Sequence, residues 1–241
     1  MVEAGGVTWD VVDVEYDCAL QACGQGLLDP LDFAEIDREA LDPRFVSDCA
    51  VGSFQFFFVL GYNPVSFADA QPATLADGVA PDQLYLLDPD RAFAKLDTIK
   101  GDIIWWSGGA QSQQLLASGE APIGFYWNGR LSAVEAEGLD VGIVWDQNIT
   151  AADALVVPKG APNKDAAMRL IAQATSAQAQ ANFAAATGYA PINTGSAALM
   201  DPDLHATLPD RRAGQQINAD MVYWGENRDE IALRWHEWQA N

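Results

Sequence analysis

The sequence predicts an α/β protein with largely parallel sheets, and three observations carry that prediction. Short apolar, β-branched runs alternate with amphipathic stretches along nearly the whole chain. The amphipathic stretches begin at capping residues and stop at glycines. The chain has 241 residues, 49% of them apolar and 20% charged, which suffices for a buried core and excludes general disorder. No apolar run reaches the length that a membrane-spanning helix needs.

The elements follow in order. VTWDVVDVE, residues 7–15, is β-branched and reads as a buried strand. Asp17 is placed to cap a short helix, 18–23, stopped by Gly24 and Gly26. FQFFFVLGYN, 54–63, is a second strand. From Pro64 to Pro81 the pattern is irregular. Residues 87–101 read as a helix with Asp88 as N-cap and Pro89 in the first turn. DIIWW, 102–106, reads as a strand, 107–118 as a helix ended by Gly119, and PIGFYW, 122–127, as a strand. A helix over 130–137 and strands over 140–145 and 152–158 come next. Two helices follow, capped by Asn163 and Ser176, the second ended by Gly188. Residues 217–238 form a last helix with Trp224, Ile231, Trp235 and Trp238 at helical spacing.

Charge narrows the function. The chain carries 34 acidic against 13 basic residues, a formal net charge of −21. Such a field repels nucleic acid and anionic lipid and draws cations. Only two histidines occur, His205 and His236, in no metal-binding spacing, so no metal site is expected. Neither a GxSxG elbow, a phosphate-binding GxxxxGK[ST] loop nor a GxGxxG turn is present. No catalytic set is therefore expected, and no cofactor. Cys18, Cys23 and Cys49 include no CxxC pair. A bridge from Cys18 or from Cys23 to Cys49 and three reduced thiols all fit the counts. No charged, then apolar, leader stands at Met1.

In open α/β sheets, ligands sit beyond the carboxyl ends of strands. That rule selects Glu15 and Asp17 after the first strand and Trp127 at the end of PIGFYW. It adds Asp153 beside a strand start and Tyr189 in the turn TGYAPIN. Arg130 is the one basic residue among them. Carboxylates with aromatic faces suit an ammonium ligand through charge-assisted hydrogen bonds and cation–π attraction.

The segments WDVVDVEYD, CGQGLLDPLD, VLGYN, LADGVAPDQLYLLDPDRAFAKLDTIK, IIWWSGGAQSQQLLASGE, GFYWNGR, ALVVPKGAPNKDAAMRLI and TGYAPIN occur in order from Trp9 to Trp238. Together they resemble the polyamine-type (spermidine/putrescine) substrate-binding proteins of ABC importers. The resemblance implies a two-lobed periplasmic binding protein-like fold of type II, with two sheets flanked by helices and two hinge crossings. The crossings would lie near Tyr62–Asn63 and Ala151–Asp153. The first lobe would comprise residues 1–62 and 153–195, the second 63–152 and 196–241. It further implies a periplasmic, monomeric protein that clamps a cationic amine such as putrescine or spermidine and hands it to a permease.

In the resemblance, Glu15, Asp17, Trp127, Asp153 and Tyr189 fall on ligand-contacting positions. Cys23 and Cys49 fall where relatives pair, leaving Cys18 free. Two departures stand out. The aromatic expected two positions before Asp153 is Ala151, and a segment built around Trp, Phe and Pro-Gly has no match after Pro72. The missing aromatic supports an alternative ligand, another small polar solute such as an amino acid derivative. An enzyme on the same scaffold is the remaining alternative.

Overall fold

The structure, a computed structural model, describes residues 1–68, 72, 83–208, 210–211 and 216–240. Two long strands organise it. β1 spans Val12–Glu15 and runs directly into helix α1, Tyr16–Gly24. β2 spans Ala50–Tyr62; helices α2, Pro89–Asp97, and α3, Gly109–Ala117, follow. β3, Ile123–Trp127, leads without a break into α4, Asn128–Ala136. β4 spans Gly142–Val156. Then come α5, Lys164–Ala174, α6, Ala177–Thr187, and α7, Pro202–Thr207. The short β5, Gln216–Asn218, precedes α8, Met221–Ala240.

The described strands form one sheet in the order β1-β4-β2-β3, with β5 also paired to β4. Only the β4–β5 pair is parallel; the others are antiparallel. This corrects the expectation of largely parallel sheets. β2 and β4, 13 and 15 residues long, lie against each other from Ala50 opposite Val156 to Tyr62 opposite Gly142. The pairing runs along both strands, with irregularities between Gly52 and Phe54 and between Phe58 and Leu60. Alternation with helices does not by itself fix strand direction, because each intervening helix can also return the chain antiparallel. The expected strands at 140–145 and 152–158 are the two ends of β4, whose middle holds the positive-φ residue Gln147.

Several start signals are realised. The Asp88 carboxylate accepts from Arg91 N–H at 3.0 Å with Pro89 in the first turn, and the Ser176 hydroxyl accepts from Ala179 N–H. Asn163 stands at the N-cap of α5, but its side chain donates to Asp10 instead of capping. Asp17 is not a cap. Glu15 holds that place, and Asp17 lies in the first turn of α1, where a negative charge meets the positive helix end. DIIWW is not a strand: a 3₁₀ turn ends at Asp102, and Trp105 packs edge-on against Trp235 of α8 at 5.5 Å. Trp105 finds its partners in helix α8, and Trp106 packs on Trp127, in place of a ladder. Of the irregular Pro64–Pro81 stretch, Pro64–Phe67 is a 3₁₀ turn capped by Asn63. Residues 69–71 and 73–81 lie outside the described residues.

Two apolar cores flank the ladder. One gathers Tyr16, Ile36, Phe45, Val51, Val156 and Ile171. The other gathers Phe57, Val59, Leu116, Tyr126 and Leu131. Cys23 is bonded to Cys49, with Cα atoms 5.9 Å apart, and Cys18 is free. The bond ties α1 to the start of β2.

Candidate functional site

Register places the site on one face of the sheet. Side chains directly opposite in a ladder share a face, and alternate residues along a strand do so too. Glu15 lies opposite Asp153, and Asp153 opposite Phe54. Two residues along, Ala151 lies opposite Phe56; two further, Ile149 lies opposite Phe58, which in turn lies opposite Trp127. One face thus carries three carboxylates at one end, Asp13, Glu15 and Asp153, and a run of aromatics leading away from them.

Tyr189 joins this face from the turn after α6. The backbone of Ala190 exchanges hydrogen bonds with Gln55, which sets Tyr189 beside β2. Its ring stacks on Phe54 with centroids 4.9 Å apart. Gly129 permits this placement. A Cβ there would stand 2.6 Å from the Tyr189 ring, closer than a Cβ can approach. Asn128 fixes the same corner from inside. Its Oδ1 accepts from Phe57 N–H at 3.0 Å, and its Nδ2 donates to Gly188 C=O at 2.8 Å. The Trp-Asn-Gly turn therefore ties β2, the start of α4 and the tyrosine turn into one unit.

Asp153 is the electrostatic centre. Burial, reinforced by the charges of Asp13, Glu15 and Asp17, pushes its carboxyl from the usual 3.8 up to about 7. Among the described residues Asp153 makes no ion pair. Glu15 and Asp17 have one: Nη1 of Arg228, from α8, lies 2.7 Å from Glu15 Oε2 and 2.8 Å from Asp17 Oδ2. The two acids expected to meet a ligand are thus already paired by the protein. The same groups, with Cys18, lie within 4.8 Å of one another, but Arg228 supplies their positive charge.

A charge of opposite sign also bears on Tyr189. Burial raises the Tyr189 hydroxyl, Arg130 draws it down, and Asp153 raises it, so both charges bear on one ring. Arg130 makes no ion pair among the described residues, and its buried Nε has no hydrogen-bond partner. It lies against Gly109, where a Cβ would stand 2.3 Å from Nε. Gly109 opens α3, whose first turn has no side-chain cap. An unpaired guanidinium thus meets the positive end of a helix, an arrangement that favours an anion. A cavity of about 710 Å³ reaches Arg130, Gly129 and Tyr189 from the side of α4, α6 and α7, and Asp153 does not line it.

Asp153, Tyr189 and Glu15 come together, while Asp17 joins Glu15 through Arg228. Trp127 stands farther off. It packs at 6.2 Å on Phe58, four residues along β2 from Phe54, or about 13 Å at the usual strand rise. Trp106 meets its other side edge-on at 5.3 Å. Where an aromatic is expected at Ala151, the neighbouring strand sets Phe56 opposite Ala151 and Phe54 opposite Asp153. The strand-end rule selects neither phenylalanine, and Arg130 enters it only as the one basic residue of the set, although an arginine in so acidic a chain is a signal.

Residues 52–210 match the bacterial extracellular solute-binding protein family. The chain belongs to that family. A gamma-aminobutyric acid-binding protein of Pseudomonas aeruginosa is 34% identical over 275 residues, covering 100% of this chain and 78% of the relative. A solved structure of the Atu4243–GABA receptor is 57% identical with a TM-score of 0.93, covering 99% of this chain and 83% of that one. A spermidine/putrescine transporter protein of Listeria monocytogenes is 22% identical with a TM-score of 0.74, over 98% of this chain and 86% of that one. That likeness shows the shared fold alone, so the polyamine type is a distant neighbour. The fold is that of the ABC substrate-binding proteins, an α/β periplasmic-binding-protein-like architecture. Among the described residues no helix is long and apolar enough to cross a membrane.

Proposed function

We propose that this solute-binding protein captures a small zwitterionic amino acid, of the γ-aminobutyric acid (GABA) type, in the periplasm. It then delivers the ligand to an ABC permease. The observation that carries this reading is a pair of opposite charges that both bear on Tyr189 and that make no ion pair among the described residues, Asp153 and Arg130. A ligand with an ammonium at one end and a carboxylate at the other satisfies both. Its apolar methylenes would lie along the Phe54 and Tyr189 rings. The two relatives whose names carry GABA support the reading. A diamine, by contrast, would leave Arg130 facing a second cation.

Closure of the lobes about the long strands near Tyr62–Asn63 and Ala151–Asp153 would enclose the ligand, and the closed state would engage the permease. The test is calorimetric titration of GABA into the native protein, Asp153→Asn and Arg130→Met. Each substitution leaves one ligand charge unpaired, which costs about 2–4 kcal/mol, or roughly 30- to 700-fold in affinity. A variant that binds GABA as tightly as the native protein removes its residue from the site.

A further inference from the structure

One ion-paired cluster has no role in holding an amino acid. Arg228 stands on α8, 211 residues from Asp17 in sequence, yet its Nη1 donates to Asp17 at 2.8 Å and meets Glu15 at 2.7 Å. The placement is built into the packing. Gly225, one turn earlier on α8, is buried against Asp17 C=O and Leu20 of α1. Gln21 of α1 also donates to Asp229 at 3.1 Å. Glu15 faces Asp153 directly across the β1–β4 ladder. The cluster is thus the immediate neighbour of the carboxylate that receives the ligand's ammonium.

We infer that Arg228 restricts the site to ligands with a single ammonium, by filling the place between Glu15 and Asp17 that a second ligand ammonium would otherwise take. The inference rests on the proposed amino acid reading and deepens it. Without Arg228, Glu15 and Asp17 would stand uncompensated beside Asp153, with Asp13 adding a fourth carboxylate held by the Ser53 hydroxyl. That is a site for two ammonium groups. With Arg228 in place, Glu15 and Asp17 are spent on an internal cation. A second ammonium arriving from the ligand would meet a guanidinium instead of a carboxylate. The discrimination is therefore made by a repulsive element as much as by an attractive one. Arg228 acts through Glu15 and Asp17 and is a positioning residue.

The test is Arg228→Gln, titrated with GABA and with putrescine alongside the native protein. Freeing a hydrogen-bonded charge pair for the diamine raises the putrescine-to-GABA preference by on the order of tenfold or more. Adding Glu15→Gln and Asp17→Asn to Arg228→Gln abolishes that gain, and a purely structural role for Arg228 would not produce it. Should Arg228→Gln unfold when purified, putrescine but not GABA restores its cooperative melting transition. An unchanged preference, or rescue by neither compound, overturns the inference while GABA binding by the native protein leaves the amino acid reading standing. Native protein that prefers putrescine overturns both.

Discussion

Ligand binding should release a proton and strengthen as pH rises through 7. Unliganded Asp153 has its carboxyl pushed up to about 7 by burial and by Asp13, Glu15 and Asp17. An ammonium beside it stabilises the ionised form, so binding draws on that form alone. About one-tenth of Asp153 is ionised at pH 6 and about nine-tenths at pH 8, so GABA affinity should rise roughly tenfold between them. Titration in two buffers of different ionisation enthalpy should register about half a proton released per ligand at pH 7. Asp153→Asn should flatten the profile and remove the proton release. The stability of the free protein runs the other way. The native carboxyl titrates above its unfolded value of 3.8, so its contribution is present below that pH and is lost as pH rises through 7. Saturating ligand should cancel that loss. An affinity that stays level from pH 6 to pH 8, with no proton released, would refute the role given to Asp153.

Two further outcomes follow from the scaffold. Asn128→Ala strands the buried Phe57 N–H, costing about 1–3 kcal/mol and lowering the melting temperature by roughly 2–10 °C; an unchanged melting curve would show that the turn does not depend on this side chain. Reducing Cys23–Cys49 opens a crosslink with a sequence separation of 26. Chain-entropy arithmetic gives about 3.5 kcal/mol for a loop of that size. Denaturant unfolding with and without reductant should show that loss as a lower midpoint, and coincident curves would contradict it.

What was legible in the sequence was what local chemistry decides. Asp88 and Ser176 cap their helices because an acceptor three residues before a free N–H suffices. The strand-end rule selects Asp153 and Tyr189 as candidates; the ladder sets Asp153 opposite Phe54, and the Tyr189 ring stacks on that same Phe54. The Cys23–Cys49 bond came from resemblance, since spacing allowed Cys18 equally. What was hidden is nonlocal. Nothing near Glu15 or Asp17 announces that Arg228 will satisfy both, because that pairing depends on how α8 crosses α1. Strand direction was equally hidden, since a strand–helix–strand pattern serves parallel and antiparallel returns alike. That Phe54 and Phe56 stand opposite Asp153 and Ala151 follows from the β2–β4 register, which no reading of residues around Asp153 could supply.

The central claim is that one ligand must carry both charges. It is tested most directly by titrating the native protein at pH 8 with GABA, butyrate, butylamine and putrescine. GABA should bind, and each singly charged analogue should fall at least tenfold short, since each leaves Arg130 or Asp153 unmatched. Putrescine binding as tightly as GABA would contradict the account.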